Sequence, residues 1–237
     1  MPDGTPAKDR RLKVEYHDGH YGNLVVFSGT VPESGELTLK GLTDRVAHSS
    51  PERSYTVTVD NELLGFFGFT KNEPMQEFEF HLAPRAGDLA PDVELRRIAG
   101  GTSKRLGSLR GKLVCLEFWA TWCGPCQPAM AELNRLTAEQ CAGWKERVAI
   151  VPISIDAKPE RVKSHVAQRG WDRLDHYWAG ESTGSDFDAP VARAFVVSGV
   201  PQAILIGPDG RILWRGHPLD NSGGRNLRSR IEGELKK

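Results

Sequence analysis

Two different periodicities divide the chain. From about residue 16 to residue 84, apolar and polar positions alternate in short runs: Leu24-Val25-Val26-Phe27, Glu36-Leu37-Thr38-Leu39-Lys40, Tyr55-Thr56-Val57-Thr58-Val59, Leu64-Gly65-Phe66-Phe67-Gly68-Phe69 and Glu77-Phe78-Glu79-Phe80-His81-Leu82. Turn-forming stretches such as Pro32-Glu33-Ser34-Gly35 and Lys71-Asn72-Glu73-Pro74 separate them. Period two without helical spacing predicts a small all-β, sandwich-like domain over residues 16–84. The polar residues 1–15 are expected to be a disordered tail. Ala83-Pro84-Arg85-Ala86-Gly87 has linker composition.

From Gly87 onward the pattern changes to apolar runs alternating with segments of helical spacing, which predicts an α/β layer over residues 85–237. Strands are expected at Val93–Ile98 (an edge), Lys112–Trp119 and Val148–Ile155, with a short one over Asp175–Trp178. A hairpin is expected from Gln202–Gly207 and Arg211–Arg215 around Pro208-Asp209-Gly210. Helices are expected from Cys123 to about Cys141, and over Glu160–Arg169, Pro190–Phe195 and Leu227–Leu235.

The candidate chemistry lies at one strand-to-helix junction, Phe118-Trp119-Ala120-Thr121-Trp122-Cys123-Gly124-Pro125-Cys126. A helix start presents unpaired N–H groups and the positive end of its dipole. A thiolate at Cys123 is stabilised there and becomes a usable nucleophile near neutral pH. Cys126, one turn on, is within disulfide reach and is the natural resolving thiol. A Cys-x-x-Cys pair is also half of a structural zinc site, but that needs two more ligands. Cys115 and Cys141 form no close pair, and none of the seven histidines stands in a His-x-x-x-His pair. As an inert staple the bridge would close too short a loop to constrain the unfolded chain much. Redox use is the stronger reading, and it requires no organic cofactor or metal.

Composition narrows the partners. The 237 residues carry 31 Lys plus Arg and 31 Asp plus Glu, a net charge of zero, so neither nucleic acid nor an acidic membrane surface is an expected partner. No apolar run has the length of a membrane span. The polar N-terminus, Met1 to Arg10, contains no signal-peptide apolar region, which taken literally predicts a cytoplasmic protein. His17 and His20, near Tyr16 and Tyr21, are metal candidates, although such residues are more often surface polar groups.

The Phe118–Cys126 segment resembles the active site of the thioredoxin superfamily. Three further stretches resemble the TlpA/ResA-like thiol-disulfide oxidoreductases: Gly87-Asp88-Leu89-Ala90-Pro91-Asp92, Leu109-Arg110-Gly111-Lys112, and Gly199-Val200-Pro201-Gln202 with the following Ile204-Leu205-Ile206-Gly207-Pro208-Asp209-Gly210-Arg211-Ile212. The likeness covers residues 85–237 and implies a thioredoxin-like fold, a central mixed sheet flanked by helices. It implies that Pro201 is cis and faces Cys123, where Trp122, Gly124, Pro125 and the Val200 backbone would receive an extended substrate segment by strand addition; without it, Pro201 is an ordinary trans proline opening an edge strand. It also implies an extracytoplasmic, periplasmic location for a chain whose leader is absent, against the cytoplasmic alternative.

Strand alternation places Glu117 with Cys115 and Trp119, opposite Leu116 and Phe118. Thioredoxins carry a buried aspartate at the matching place, so the resemblance implies that Glu117 serves Cys126 as a base. TlpA/ResA-like proteins often have a glutamate three residues after the second cysteine; that position is Ala129 here, and the lysine that faces the acid in thioredoxins is replaced by Pro152. The alternative is a Glu117 that reaches solvent or pairs with an arginine. The 44 residues between Asp156 and Pro201 exceed a plain thioredoxin's connection, which makes Trp171–Asp188 a candidate specificity region or a variable surface loop. Cys115 and Cys141 are expected to be small core residues; a bridge between them is disfavoured because the helix end should overshoot the strand position.

The expected function is thus a protein-disulfide reductase acting on partner proteins through a Cys123/Cys126 cycle, itself reduced by a membrane or soluble thiol donor. The Gly124-Pro125 dipeptide is that of reducing thioredoxins, whose potential is about −270 mV. Two other classes remain open. A peroxiredoxin-type peroxidase would need a Thr-x-x-Cys spacing that Ala120-Thr121-Trp122-Cys123 lacks. A docking or assembly module would use the β domain, with the redox motif secondary.

Overall fold

The computed structural model describes residues 10–17, 23–30, 54–59, 62–67, 83–138, 144, 146–181, 186–219 and 227–237. The chain divides into two compact units, residues 1–82 and 83–237.

The first unit contains β1 (Arg11–His17), β2 (Asn23–Thr30), β3 (Ser54–Val59) and β4 (Glu62–Phe67), joined in one antiparallel sheet of order β2-β1-β3-β4. The expected tail through residue 15 is corrected here: β1 is an inner strand, paired on both sides, with Val14 buried opposite Phe27 and Val57. Leu12, Val14 and Tyr16 alternate with Lys13, Glu15 and His17, a strand pattern concealed by the charged residues before it. Lys13 and Glu15, on one face of the strand, pair at 2.7 Å. The strands expected at 36–40 and 77–82 and the turns at 32–35 and 71–74 lie outside the described residues, as do His20 and Tyr21.

The second unit begins with β5 (Glu94–Arg97), β6 (Lys104–Arg105) and a 3-10 turn over Leu106–Leu109. Then come β7 (Leu113–Trp119), α1 (Cys126–Ala138), β8 (Val148–Ser154), α2 (Pro159–Arg169) and β9 (Tyr177–Trp178). A second 3-10 turn, Asp186–Asp188, precedes α3 (Pro190–Ala194), β10 (Gln202–Ile206), β11 (Ile212–Gly216) and α4 (Leu227–Leu235). The strands form one mixed sheet of order β11-β10-β7-β8-β9-β5-β6, with β7, β8 and β9 parallel. The strand expected at an edge, β5, is the penultimate one; the edge is β6, whose two residues are too few to register as alternation. So short and basic an edge also resists pairing with another chain.

Every residue of β7 is buried, as a strand covered on both faces requires. Phe118 on one face meets Phe195 just after α3, with ring centroids 5.7 Å apart; on the other face Trp119 meets Trp171 just after α2, also at 5.7 Å. Helix α2 starts with Pro159 in its first turn and stops at Gly170, whose φ of 64° suits glycine. The β10–β11 hairpin turns through Gly210, φ 85°, with the Asp209 carboxylate accepting the Arg211 N–H at 3.0 Å. The sheet and its two covering layers thereby fix the carboxyl end of β7, where the cysteines follow.

Candidate active site

The cysteine pair sits where β7 ends and α1 begins. Cys123 and Cys126 are joined by a disulfide, with Cα atoms 5.3 Å apart. The helix starts at Cys126, not at Cys123 as expected. Cys123, Gly124 and Pro125 form a tighter turn first: the Cys126 N–H donates to the Cys123 carbonyl at 3.3 Å, and the Gln127 N–H to the Gly124 carbonyl at 3.1 Å. Pro125, lacking an N–H, suits this position. The electrostatic consequence expected of a helix start remains, because the Cys126 N–H also points at Cys123 Sγ from 3.2 Å.

Both cysteines are buried, and exposed residues flank only the first of them on both sides. Cys126 is wholly buried and Cys123 is 4% exposed. Around Cys123 stand the exposed Gly124 and Pro125, and Trp122, which is 47% exposed. A Cβ added at Gly124 would meet nothing within 4 Å, so open space lies beside Gly124. From the opposite side the Val200 carbonyl oxygen comes within 3.5 Å of Cys123 Sγ. The Val200–Pro201 peptide bond is cis, Pro201 is buried and Val200 is half-buried. Residues 122–126 and 200–201 are thus brought together around one sulfur.

Glu117 lies in the interior. It is fully buried, and neither carboxylate oxygen has a hydrogen-bond partner in the structure. Burial raises its pKa well above the ordinary carboxyl value of 4.5. Its neighbours across the sheet are Ala203 on β10 and Pro152 on β8. The alternatives of solvent exposure or an arginine partner do not hold. Cys115, on the same strand face, is a free buried thiol whose pKa is pushed far up, first by burial and then by the Glu117 carboxyl. Cys141 lies outside the described residues.

Two supports of the cysteine turn were not visible in the sequence. Asp156, 2% exposed just beyond β8, accepts the Thr121 backbone N–H and the Ser154 hydroxyl through Oδ2 at 2.8 and 2.7 Å, and the Thr121 hydroxyl through Oδ1. The Asp156 carbonyl also accepts the Trp178 indole N–H at 2.7 Å. The only sequence signal was an acid closing an apolar run. Gln127 donates to the Cys123 carbonyl at 3.1 Å while its own amide oxygen meets His165 Nε2 at 2.8 Å. The pKa of His165 is lowered, chiefly by burial. A third contact reaches Trp122, whose indole N–H donates to Asp186 Oδ2 at 2.8 Å.

Among the described residues no group of three His, Cys, Asp or Glu side chains is placed to hold a metal, and no helix is long and apolar enough to cross a membrane. Chemically the site offers a strand-end disulfide flanked by exposed residues, a positioned amide for a thiolate, and, on the same strand, a buried carboxyl of raised proton affinity.

Comparison with known proteins agrees with this geometry. A thioredoxin-like family model matches residues 111–212. The chain is 33% identical over 132 residues to a thiol-disulfide oxidoreductase ResA of Oceanobacillus iheyensis, covering 54% of this chain and 62% of that protein's length. It is 29% identical over 176 residues to a ResA of Bacillus thuringiensis, covering 74% of this chain and 90% of the relative. Among solved structures it resembles a protein assigned as the thiol:disulfide interchange protein DsbE of Chlorobium tepidum, at 26% identity and a TM-score of 0.53, over 65% of this chain and 99% of that one. Residues 83–237 thus have a thioredoxin-like fold, and over this part the chain is similar to ResA-type thiol-disulfide oxidoreductases, spanning less than two thirds of the length of the Oceanobacillus relative.

Proposed function

We propose that the protein reduces disulfides of partner proteins by thiol-disulfide exchange at Cys123 and Cys126. The observation that carries this reading is the asymmetric pair: a wholly buried Cys126 bonded to a Cys123 that is followed by the exposed Gly124 and Pro125 and faces the Val200 carbonyl. In the reduced protein the Cys123 thiolate attacks one sulfur of a partner disulfide; the other partner sulfur leaves as thiolate and takes a proton. Cys126 then gives up its proton and attacks Cys123 Sγ, which expels the second partner thiolate and closes the Cys123–Cys126 bond. Two electrons pass to the partner, and a membrane or soluble thiol donor restores the dithiol.

Glu117 is the proposed acceptor of the Cys126 proton. Its pKa, raised by burial, makes the carboxylate a stronger base than an ordinary carboxylate. Val200 and Pro201, with Trp122, Gly124 and Pro125, form the surface that receives the partner's extended segment. The proposed setting is extracytoplasmic, supported by the resemblance to TlpA/ResA-like proteins. The reductive direction rests on the Gly124-Pro125 dipeptide.

Insulin reduction tests the reading. The wild-type protein should accelerate it with a dithiol donor, and Cys123→Ser should abolish the acceleration. Cys126→Ser should accumulate a mixed disulfide. Peroxide consumption by the reduced protein, with no acceleration of insulin reduction, would replace this reading with the peroxidase one.

A further inference from the structure

We infer that Asp186 and Phe187 are positioning residues for Trp122, and that through it they set how tightly polypeptide disulfides bind. The inference deepens the reductase reading and rests on it for its substrate. Trp122 precedes Cys123 directly and is one of three large hydrophobic side chains exposed among the described residues. An indole beside a reactive sulfur, free to rotate, would offer a partner no fixed wall. Here the Trp122 N–H donates to Asp186 Oδ2 at 2.8 Å, and the ring meets Phe187 edge-on with centroids 6.4 Å apart. One partner fixes the ring's polar edge and the other its apolar body.

The anchoring residues are themselves held. At the base of their loop the Val191 N–H donates to the Ala179 carbonyl at 3.1 Å. Gly180 lies so close to Pro190 that an added Cβ would come within 3.0 Å of the proline ring. Ala189, immediately after the Asp186–Asp188 turn, is fully buried, and α3 follows from Pro190. Asp186 and Phe187 thus stand on a buried support and reach back 64 positions to the active-site turn. They supply no group to the exchange chemistry. Their effect falls on the orientation of a binding surface, so it should appear for a polypeptide that contacts the indole and vanish for a disulfide too small to reach it. Preorganisation of this kind changes affinity by removing the cost of ordering the surface on binding.

The test compares Asp186→Ala, Asp186→Asn and Phe187→Ala with the wild-type protein. Asparagine keeps an acceptor for the indole N–H; alanine does not. The first readout is acrylamide quenching of Trp122, taken as the difference from a Trp122→Phe background, and it requires no turnover. The second is steady-state reduction of insulin and, separately, of oxidised glutathione. Asp186→Ala and Phe187→Ala should raise quenching of Trp122. They should raise KM for insulin by about threefold or more, the scale of one lost hydrogen bond. The kcat for insulin and the rate with oxidised glutathione should not change, and Asp186→Asn should stay near wild type. Unchanged quenching, an unchanged KM for insulin, or equal slowing with both substrates would overturn the inference. A wild-type protein that reduces neither substrate would overturn the reductase reading, while the quenching comparison still decides whether Asp186 and Phe187 hold Trp122.

Discussion

Glu117 stands in register with Pro152 of the neighbouring parallel strand, so the buried carboxyl has beside it a residue with neither a side-chain donor nor a backbone N–H. A lysine there would hold the carboxylate ionised; a proline leaves burial unopposed, and the pKa rises.

This relationship has a measurable pH consequence. Because the folded pKa of Glu117 lies above its unfolded value, the folded state binds more protons between the two. Glu117 therefore costs nothing below about pH 4.5 and removes stability progressively as pH rises from there toward its folded pKa. The slope is at most about 1.4 kcal/mol per pH unit. Relative to wild type, Glu117→Gln should lack this slope, so melting temperatures measured from pH 4.5 to 8 should diverge in favour of the variant. Parallel curves would show that Glu117 is not the group being titrated. In stopped flow the same variant should leave attack by Cys123 near its normal rate and slow resolution by Cys126 by about 10²-fold.

His176 should act in the opposite sense. It is buried, its pKa is lowered chiefly by burial, and Nε2 donates to the Trp171 carbonyl at 2.8 Å while Nδ1 has no partner. The folded state therefore disfavours the charged ring, and stability is lost as pH falls from about 6.5 through the folded pKa. A His176→Phe variant should lose less stability across that window than wild type. The comparison is read from denaturant midpoints at pH 7.5 and pH 5.

Asp156 should matter more for stability than any exposed ion pair. Replacing it with Ala strands the Thr121 N–H and the Ser154 hydroxyl, at a cost of about 2–4 kcal/mol. Because Thr121 begins the cysteine turn, the redox potential of the Cys123–Cys126 pair should shift as well, measured against glutathione buffers. Asp156→Asn, which retains an acceptor, should fall between. Equal stability for wild type and the Ala variant would remove Asp156 as a support.

Removing the Phe195 ring should cost about 3–5 kcal/mol in a Phe195→Ala variant, since it is fully buried against Phe118 on the strand that carries the site. Urea unfolding of the two proteins checks it.

Much of the redox unit was legible because its signals are local. The apolar run Leu113–Trp119, interrupted only by Glu117, marked a buried strand, and Leu227–Leu235 was found at its observed bounds. The reading failed where geometry is settled by few residues or by distant ones. The helix start moved from Cys123 to Cys126 because a proline turn intervenes. Strand β6 has only two residues. Strand β1 was lost in the polar average of the first fifteen residues, although Val14 is buried. Asp156, Gln127 and Asp186 act through partners 35, 38 and 64 positions away, a separation that composition and periodicity do not register.

The central claim is that Cys123 attacks and Cys126 resolves. It is tested most directly by alkylating the reduced protein with iodoacetamide between pH 5 and 8 and locating the label by mass spectrometry at early times. The account predicts that Cys123 is labelled first, with an apparent pKa below the ordinary thiol value, while Cys126 and Cys115 lag because both are wholly buried. Faster labelling of Cys126 than of Cys123 at neutral pH would contradict it.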